Sequence, residues 1–101
     1  MGQEFRSFAE FYPFYLREHS TRANRRAHFL GLTAAVALLI AFAVTLNWWL
    51  LLAVPVAGYG VSWVGHFVFE RNVPATFGHP WYSFLGDLAL CRDILTGRIK
   101  F

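Results

Sequence analysis

From Ala27 to Leu46 the chain runs for twenty residues without a charged side chain, and from Trp48 to Phe69 it does so again. A helix of about 20 apolar residues is what a hydrocarbon core of about 30 Å requires. Each run therefore reads as a membrane span, the first over 27–46 and the second over 48–70. Asn47 is the only strongly polar residue between them, and so short a connection makes the spans antiparallel neighbours in a hairpin. Trp48 and Trp49 mark its tip. Pro55 lies inside the second span and is expected to bend it, which membrane helices tolerate because their neighbours re-satisfy the freed carbonyl. Arg17, Arg22, Arg25 and Arg26 precede the hairpin, and Arg71, Arg92, Arg98 and Lys100 follow it. By the positive-inside rule both termini are expected in the cytoplasm, at a bacterial inner membrane or an ER-type membrane.

Composition agrees with this class. Of 101 residues, 56% are hydrophobic and 15% charged, against roughly 25% charged in ordinary soluble domains. The length suits one all-α domain over 1–101. A net charge of +3 raises nucleic acid as a partner, but the basic residues cluster at the ends of apolar runs and read as headgroup anchors, so lipid is expected and nucleic acid is not. The single cysteine, Cys91, excludes an internal disulfide and reads as a small apolar filler. No secretory leader is expected, since the first long apolar run begins only after Arg26.

The hairpin is flanked by two amphipathic segments expected to lie in the interface. Phe5 to His19 places Phe5, Phe8, Ala9, Tyr12, Leu16 and His19 on one stripe at about 100° per residue, with Arg6, Glu10 and Arg17 opposite and with Phe11 and Phe14 toward the polar side. Pro13 weakens this helix. Ser20 to Asn24 reads as a polar connector, with Asn24 as N-cap of the first span. Beyond a loop over Asn72–Pro80, Trp81 to Thr96 carries Trp81, Phe84, Leu85, Leu88 and Leu95 on one stripe, leaves Leu90 and Ile94 off it, and stops at Gly97.

Hairpin geometry converts spacing into depth. His28 lies nineteen residues before Asn47 and His66 nineteen after it, so both stand about 28 Å from the tip at 1.5 Å per residue. His19 reaches the same level from the preceding helix, provided the connector breaks the helix between His19 and His28, and His79 returns to that side through the loop. Imidazoles converging at one level, with Glu70 one turn beyond His66, suit Fe, Zn, Cu or Ni. The plainer readings are interfacial hydrogen bonding for the histidines and an offset of Arg71 for Glu70. Glycine-rich phosphate loops, CxxC pairs and HExxH are absent, and Ser62, one turn before His66, has no orienting acid and reads as a packing residue.

Two ordered stretches, FYPFYLREHSTRANRRAHFLG and GHFVFERNVPATF, resemble the Mpo-like family of 2-hydroxy fatty acid dioxygenases, typified by the fungal enzyme that metabolises phytosphingosine to odd-numbered fatty acids. The resemblance covers nearly the whole chain. It implies an Fe(2+)-dependent oxidoreductase that shortens 2-hydroxy fatty acids by one carbon with O2, in α-oxidation. Its histidine motifs match at His19, His28 and His66, which it makes metal ligands. His79 is the fourth candidate ligand, with a loop role equally open. Glu70 is the candidate catalytic carboxylate, one that reaches the metal or a ligating imidazole. Arg25, Arg26 and Arg71 are candidates to hold the substrate carboxylate, with lipid anchoring the alternative for all three. A chain this short leaves a homodimer open. Two other function classes stay open at this point: a non-catalytic hairpin scaffold, and a di-metal lipid hydroxylase or desaturase, which ordinarily needs more than four histidines per chain.

Overall fold

A computed structural model describes residues 5–101, and among them all regular structure is helical. Helix α1 spans Phe8–Arg17, α2 Arg22–Thr45 and α3 Trp48–Val64. The last of these runs on without a break into a π-helical segment, Gly65–Glu70. A 3-10 turn at Ala75–Phe77 leads into α4, Pro80–Leu95.

The hairpin turns where the polar residue sits. Leu46 adopts a left-handed conformation (φ 56°) that ends α2, and the Asn47 side chain caps α3 by accepting from the Trp49 amide at 3.2 Å. Small residues then let the two helices close on each other, as is usual where lipid removes the hydrophobic drive between helices. A Cβ added at Gly31 would lie 2.9 Å from the Gly58 carbonyl oxygen, and one at Gly65 would lie 2.2 Å from the Asn24 side-chain oxygen. Ala27, Gly31 and Ala35 all face this seam and are buried. Away from it the spans are bare: Val44, Leu52 and Val56 are 79%, 62% and 71% exposed. A core helix of a soluble protein would bury such residues, so these are two adjacent helices long and apolar enough to cross a membrane.

The structure corrects three expectations about the flanking segments. Thr21, not Asn24, caps α2, its hydroxyl accepting from the Asn24 amide, while Asn24 itself is fully buried. In α1 the buried side chains are Phe11 and Tyr15, and His19 just past its end, while Ala9 is exposed. Apolar residues lie nearly all round this helix, so periodicity alone did not select the packed face. The choice is made by aromatic contacts of Phe11 with Phe5, Phe8 and Tyr82, at ring-centroid separations of 5.2, 6.2 and 5.4 Å.

In α4 the expected stripe is the outer face. Trp81, Phe84, Leu88 and Leu95 are exposed, whereas Ser83, Gly86, Leu90 and Asp93 are buried. An apolar stripe turned outward, with small and polar residues kept for contact with the protein, is the pattern expected of a helix that meets lipid. A Cβ at Gly86 would come within 2.5 Å of the Tyr15 ring, so this glycine sets how closely α1 and α4 approach. Gly97, at φ +83°, follows the end of α4 as its sequence position suggested.

Candidate metal centre

Three chain segments deliver three histidines to one point. His19 follows the end of α1, stacked on the Tyr15 ring with centroids 3.8 Å apart; His28 lies in the second turn of α2; His66 opens the π segment. Their ring centroids are 4.2, 4.4 and 4.9 Å apart, and one nitrogen from each lies within 4.8 Å of the others. All three side chains are buried. The close seam between α2 and α3 is what makes this meeting possible.

Each imidazole has its Nδ1 engaged by an acceptor. His19 Nδ1 lies 2.6 Å from the Tyr15 carbonyl oxygen, and His28 Nδ1 lies 2.9 Å from Asp87 Oδ1. His66 Nδ1 lies 2.7 Å from Asn72 Oδ1, whose amide nitrogen donates to the carbonyl and carboxylate of Glu18. Carbonyl and carboxylate oxygens only accept, so each Nδ1 carries a proton, and Nε2 is the nitrogen left to ligate an ion in a neutral ring. The Nε2 atoms of His19 and His28 stand 3.0 Å apart. At that distance the two nitrogens either share a proton as a hydrogen bond or both face a bound cation. Burial pushes the His19 pKa down to about 2, with the nearby His28 and His66 adding to the effect. It therefore stays neutral and keeps its lone pair. Three imidazoles with acceptors behind their Nδ1 atoms fit a first-row divalent ion, and the acceptors set ring orientation and basicity.

Local backbone geometry supplies two of those acceptors. Arg71 is left-handed (φ 61°), which ends the π segment and turns the Asn72 amide onto the His66 carbonyl at 3.1 Å, bringing the Asn72 side chain beneath the His66 ring. Gly86 admits Tyr15 against α4, and the Tyr15 hydroxyl donates to Asp87 Oδ1 at 2.5 Å, the oxygen that also faces His28.

Glu70 is the main correction to the expected site. Its carboxylate faces neither the imidazoles nor Arg71. One oxygen accepts from the backbone and hydroxyl of Ser20, and the other from the backbone and hydroxyl of Thr21 and from the Asn24 amide. The π segment therefore ends by closing the N-terminus of α2, where unpaired amides and the helix dipole favour an anion. His79 lies outside the three-histidine group. It precedes α4 and packs its ring against Phe5 and Phe11, at 5.1 and 5.6 Å. Of the three arginines, Arg26 donates to the Phe101 carbonyl at 2.9 Å and lies over its ring, and Arg71 is exposed. Arg25 is half-buried near His19; its Nε has no hydrogen-bond partner among the described residues.

Beside the histidines a cavity of about 230 Å³ opens between α2, α3 and α4. His28 and Asp87 form its polar end, and Leu32, Ala35, Val54, Pro55 and Phe84 are among the residues lining the rest.

A family model described as 2-hydroxy-palmitic acid dioxygenase Mpo1-like matches residues 5–99, nearly the entire chain. The chain belongs to the Mpo1-like family. No curated protein and no solved structure gives a significant match to it. The name of the Mpo1-like family denotes dioxygenase chemistry on a fatty acid, and the three-histidine group offers a place for a metal ion.

Around that group the sequence reading passed over Tyr15, Asn72 and Asp87. Asp87 did carry a signal, being the only acidic residue between Arg71 and Arg92. Asn72 gave none, because its contact depends on the left-handed turn at Arg71.

Proposed function

We propose that this Mpo1-like protein is an Fe(II)-dependent dioxygenase that shortens 2-hydroxy fatty acids by one carbon, with His19, His28 and His66 as the ligands of the ion. One observation carries the reading: three buried histidines bring ligand atoms within 4.8 Å of one another, and one of them, His28, also lines an apolar cavity between two candidate spans. Fe(II), when bound, supplies the redox chemistry that O2 requires. Three protein donors are few, which suits a substrate bringing a carboxylate and an adjacent hydroxyl of its own. Asp87 holds the His28 ring and balances positive charge. Arg25 is the arginine suited to the substrate carboxylate, since its buried Nε is a donor still to be used and its Nη1 donates only weakly to the Ser20 carbonyl, at 3.4 Å.

The scaffold reading gives no reason for three buried histidines to bring ligand atoms within 4.8 Å of one another. A di-metal centre needs more donors than the three grouped here, and Glu70 is committed to α2. Three histidines also match catalytic zinc sites, so the metal must be tested directly. Purified protein loaded anaerobically is expected to bind about one Fe(II) per chain and then to consume O2 with a 2-hydroxy fatty acid but not with the unsubstituted acid. Failure to bind iron, or iron-loaded protein that leaves O2 untouched, overturns the proposal.

The same reading places both termini on the cytoplasmic side, where the arginines meet anionic lipid. Reporter fusions at either end are expected to behave as cytoplasmic. An outward-facing signal from one end alone shows that only one of the apolar helices spans.

A further inference from the structure

The cavity beside the histidines is shaped unlike a pocket for a compact ligand. From Ser62, near its polar end, to Val54, deep between the spans, α3 advances eight residues toward the hairpin tip, which is about 12 Å. A volume of about 230 Å³ is below the ~300–1,000 Å³ of ordinary small-molecule sites. Spread over that length it makes an elongated cleft suited to a hydrocarbon chain.

The lining also shows which side the cavity opens to. Pro55 is exposed, and Tyr59 and Phe84 are about 40% exposed, all on surfaces that face the bilayer if the spans cross it. Close packing does not account for the space, because a Cβ at Gly58 would make only an ordinary 3.5 Å contact with Ala35. His28 and Asp87 meet at one end of the lining, and Val54 and Pro55 lie toward the hairpin tip.

We propose that this cleft holds the acyl chain of a single-chain fatty acid, admitted sideways from the bilayer past Phe84, and that Val54, at its deep end, sets the chain length it accepts. The inference rests on reading the protein as a fatty-acid enzyme, but the site itself requires no turnover. The head group lies at the level of His28 and Asp87, and the methyl end points toward the hairpin tip. Apolar burial along the cleft supplies the affinity, at roughly 25 cal/mol per Å². A bulkier residue at the deep end removes room for the terminal methylenes and leaves the head site unchanged.

The test uses the whole protein in lipid nanodiscs and a saturated fatty acid with a diazirine on its chain and no 2-hydroxyl. After photolysis, label is expected on the peptides containing Leu32 and Val54, and it is expected to be displaced by unlabelled saturated fatty acid. Val54→Phe and Leu32→Phe are each expected to lose that displaceable label. Val56→Phe, at an outward position 71% exposed, is expected to keep it. Label spread over Ile40, Val44 and Val56 that competitor does not displace, or label undiminished in both filling variants, overturns the proposal. The wild-type pattern alone decides the matter if a filling variant does not fold. Displaceable cleft labelling without O2 uptake on 2-hydroxy acids keeps the cleft and removes the dioxygenase reading; uptake without such labelling does the reverse.

Discussion

Alanine at His19, His28 or His66 is expected to remove the bound ion and oxygen uptake, each change alone sufficing, while His79→Ala leaves both close to wild type. The reason is the absence of a reserve donor. Among the described residues the group holds three histidines and no carboxylate. Asp87 faces the Nδ1 side of His28, and Glu70 is turned to Ser20, Thr21 and Asn24, so neither can fill a vacated position without leaving its own partners. Loss of a residue that merely orients a ligand commonly lowers metal affinity ~10–100-fold, and loss of the ligand itself must exceed that. Iron per chain, measured alongside thermal stability with and without added metal, separates lost ligation from misfolding, because an ion bound to the folded state raises the melting temperature. Alanine should abolish that metal-dependent rise at the three positions and spare it at 79. Full iron content in any of the three variants contradicts the assignment, and complete loss at His79 shows that a fourth ligand moves into place.

The depth of these histidines was legible in the sequence, because a helix has a fixed rise and a hairpin tip fixes the origin: nineteen residues on either side of Asn47 return to one level. What the sequence did not yield was orientation. His66 and Glu70 are four residues apart, which on a regular helix suggests one shared task, yet one faces the other two histidines and the other the start of α2. The intervening turn is π-helical and the chain reverses at Arg71, features with no strong local signature. The flanking helices misled for a different reason. Apolar periodicity finds the greasy face of α4 correctly, but whether that face meets protein or lipid depends on the surroundings, and here the buried side is the one with Ser83, Gly86 and Asp93. Asp87 belongs to that lesson, since it reads as a stray charge until α4 is turned and its carboxylate comes to rest behind His28.

Glu70→Gln is expected to weaken the fold before it weakens the chemistry. Five donors converge on this carboxylate: two from Ser20, two from Thr21 and one from Asn24. Glutamine offers one oxygen in place of two, so its amide must face either Ser20 or the Thr21–Asn24 group. The hydroxyls can rotate to accept, but the backbone amides cannot, and at least one is left without its acceptor. A hydrogen bond to a charged group contributes ~1.5–3 kcal/mol, so a loss on the order of 2 kcal/mol is expected, read as a lower melting temperature in detergent. His19 immediately precedes Ser20, and His66 lies one turn before Glu70. Loosening this junction should therefore also weaken iron binding, because two ligands gain freedom relative to His28. Saturating Fe(II) is expected to restore one ion per chain, much of the lost melting temperature and near wild-type turnover, since linkage lets the metal draw the junction closed. A residue that touched the metal or the substrate would behave otherwise, with turnover staying low at full occupancy. Unchanged melting temperature in Glu70→Gln would contradict the clamp, and full iron occupancy without turnover would return Glu70 to the reacting centre.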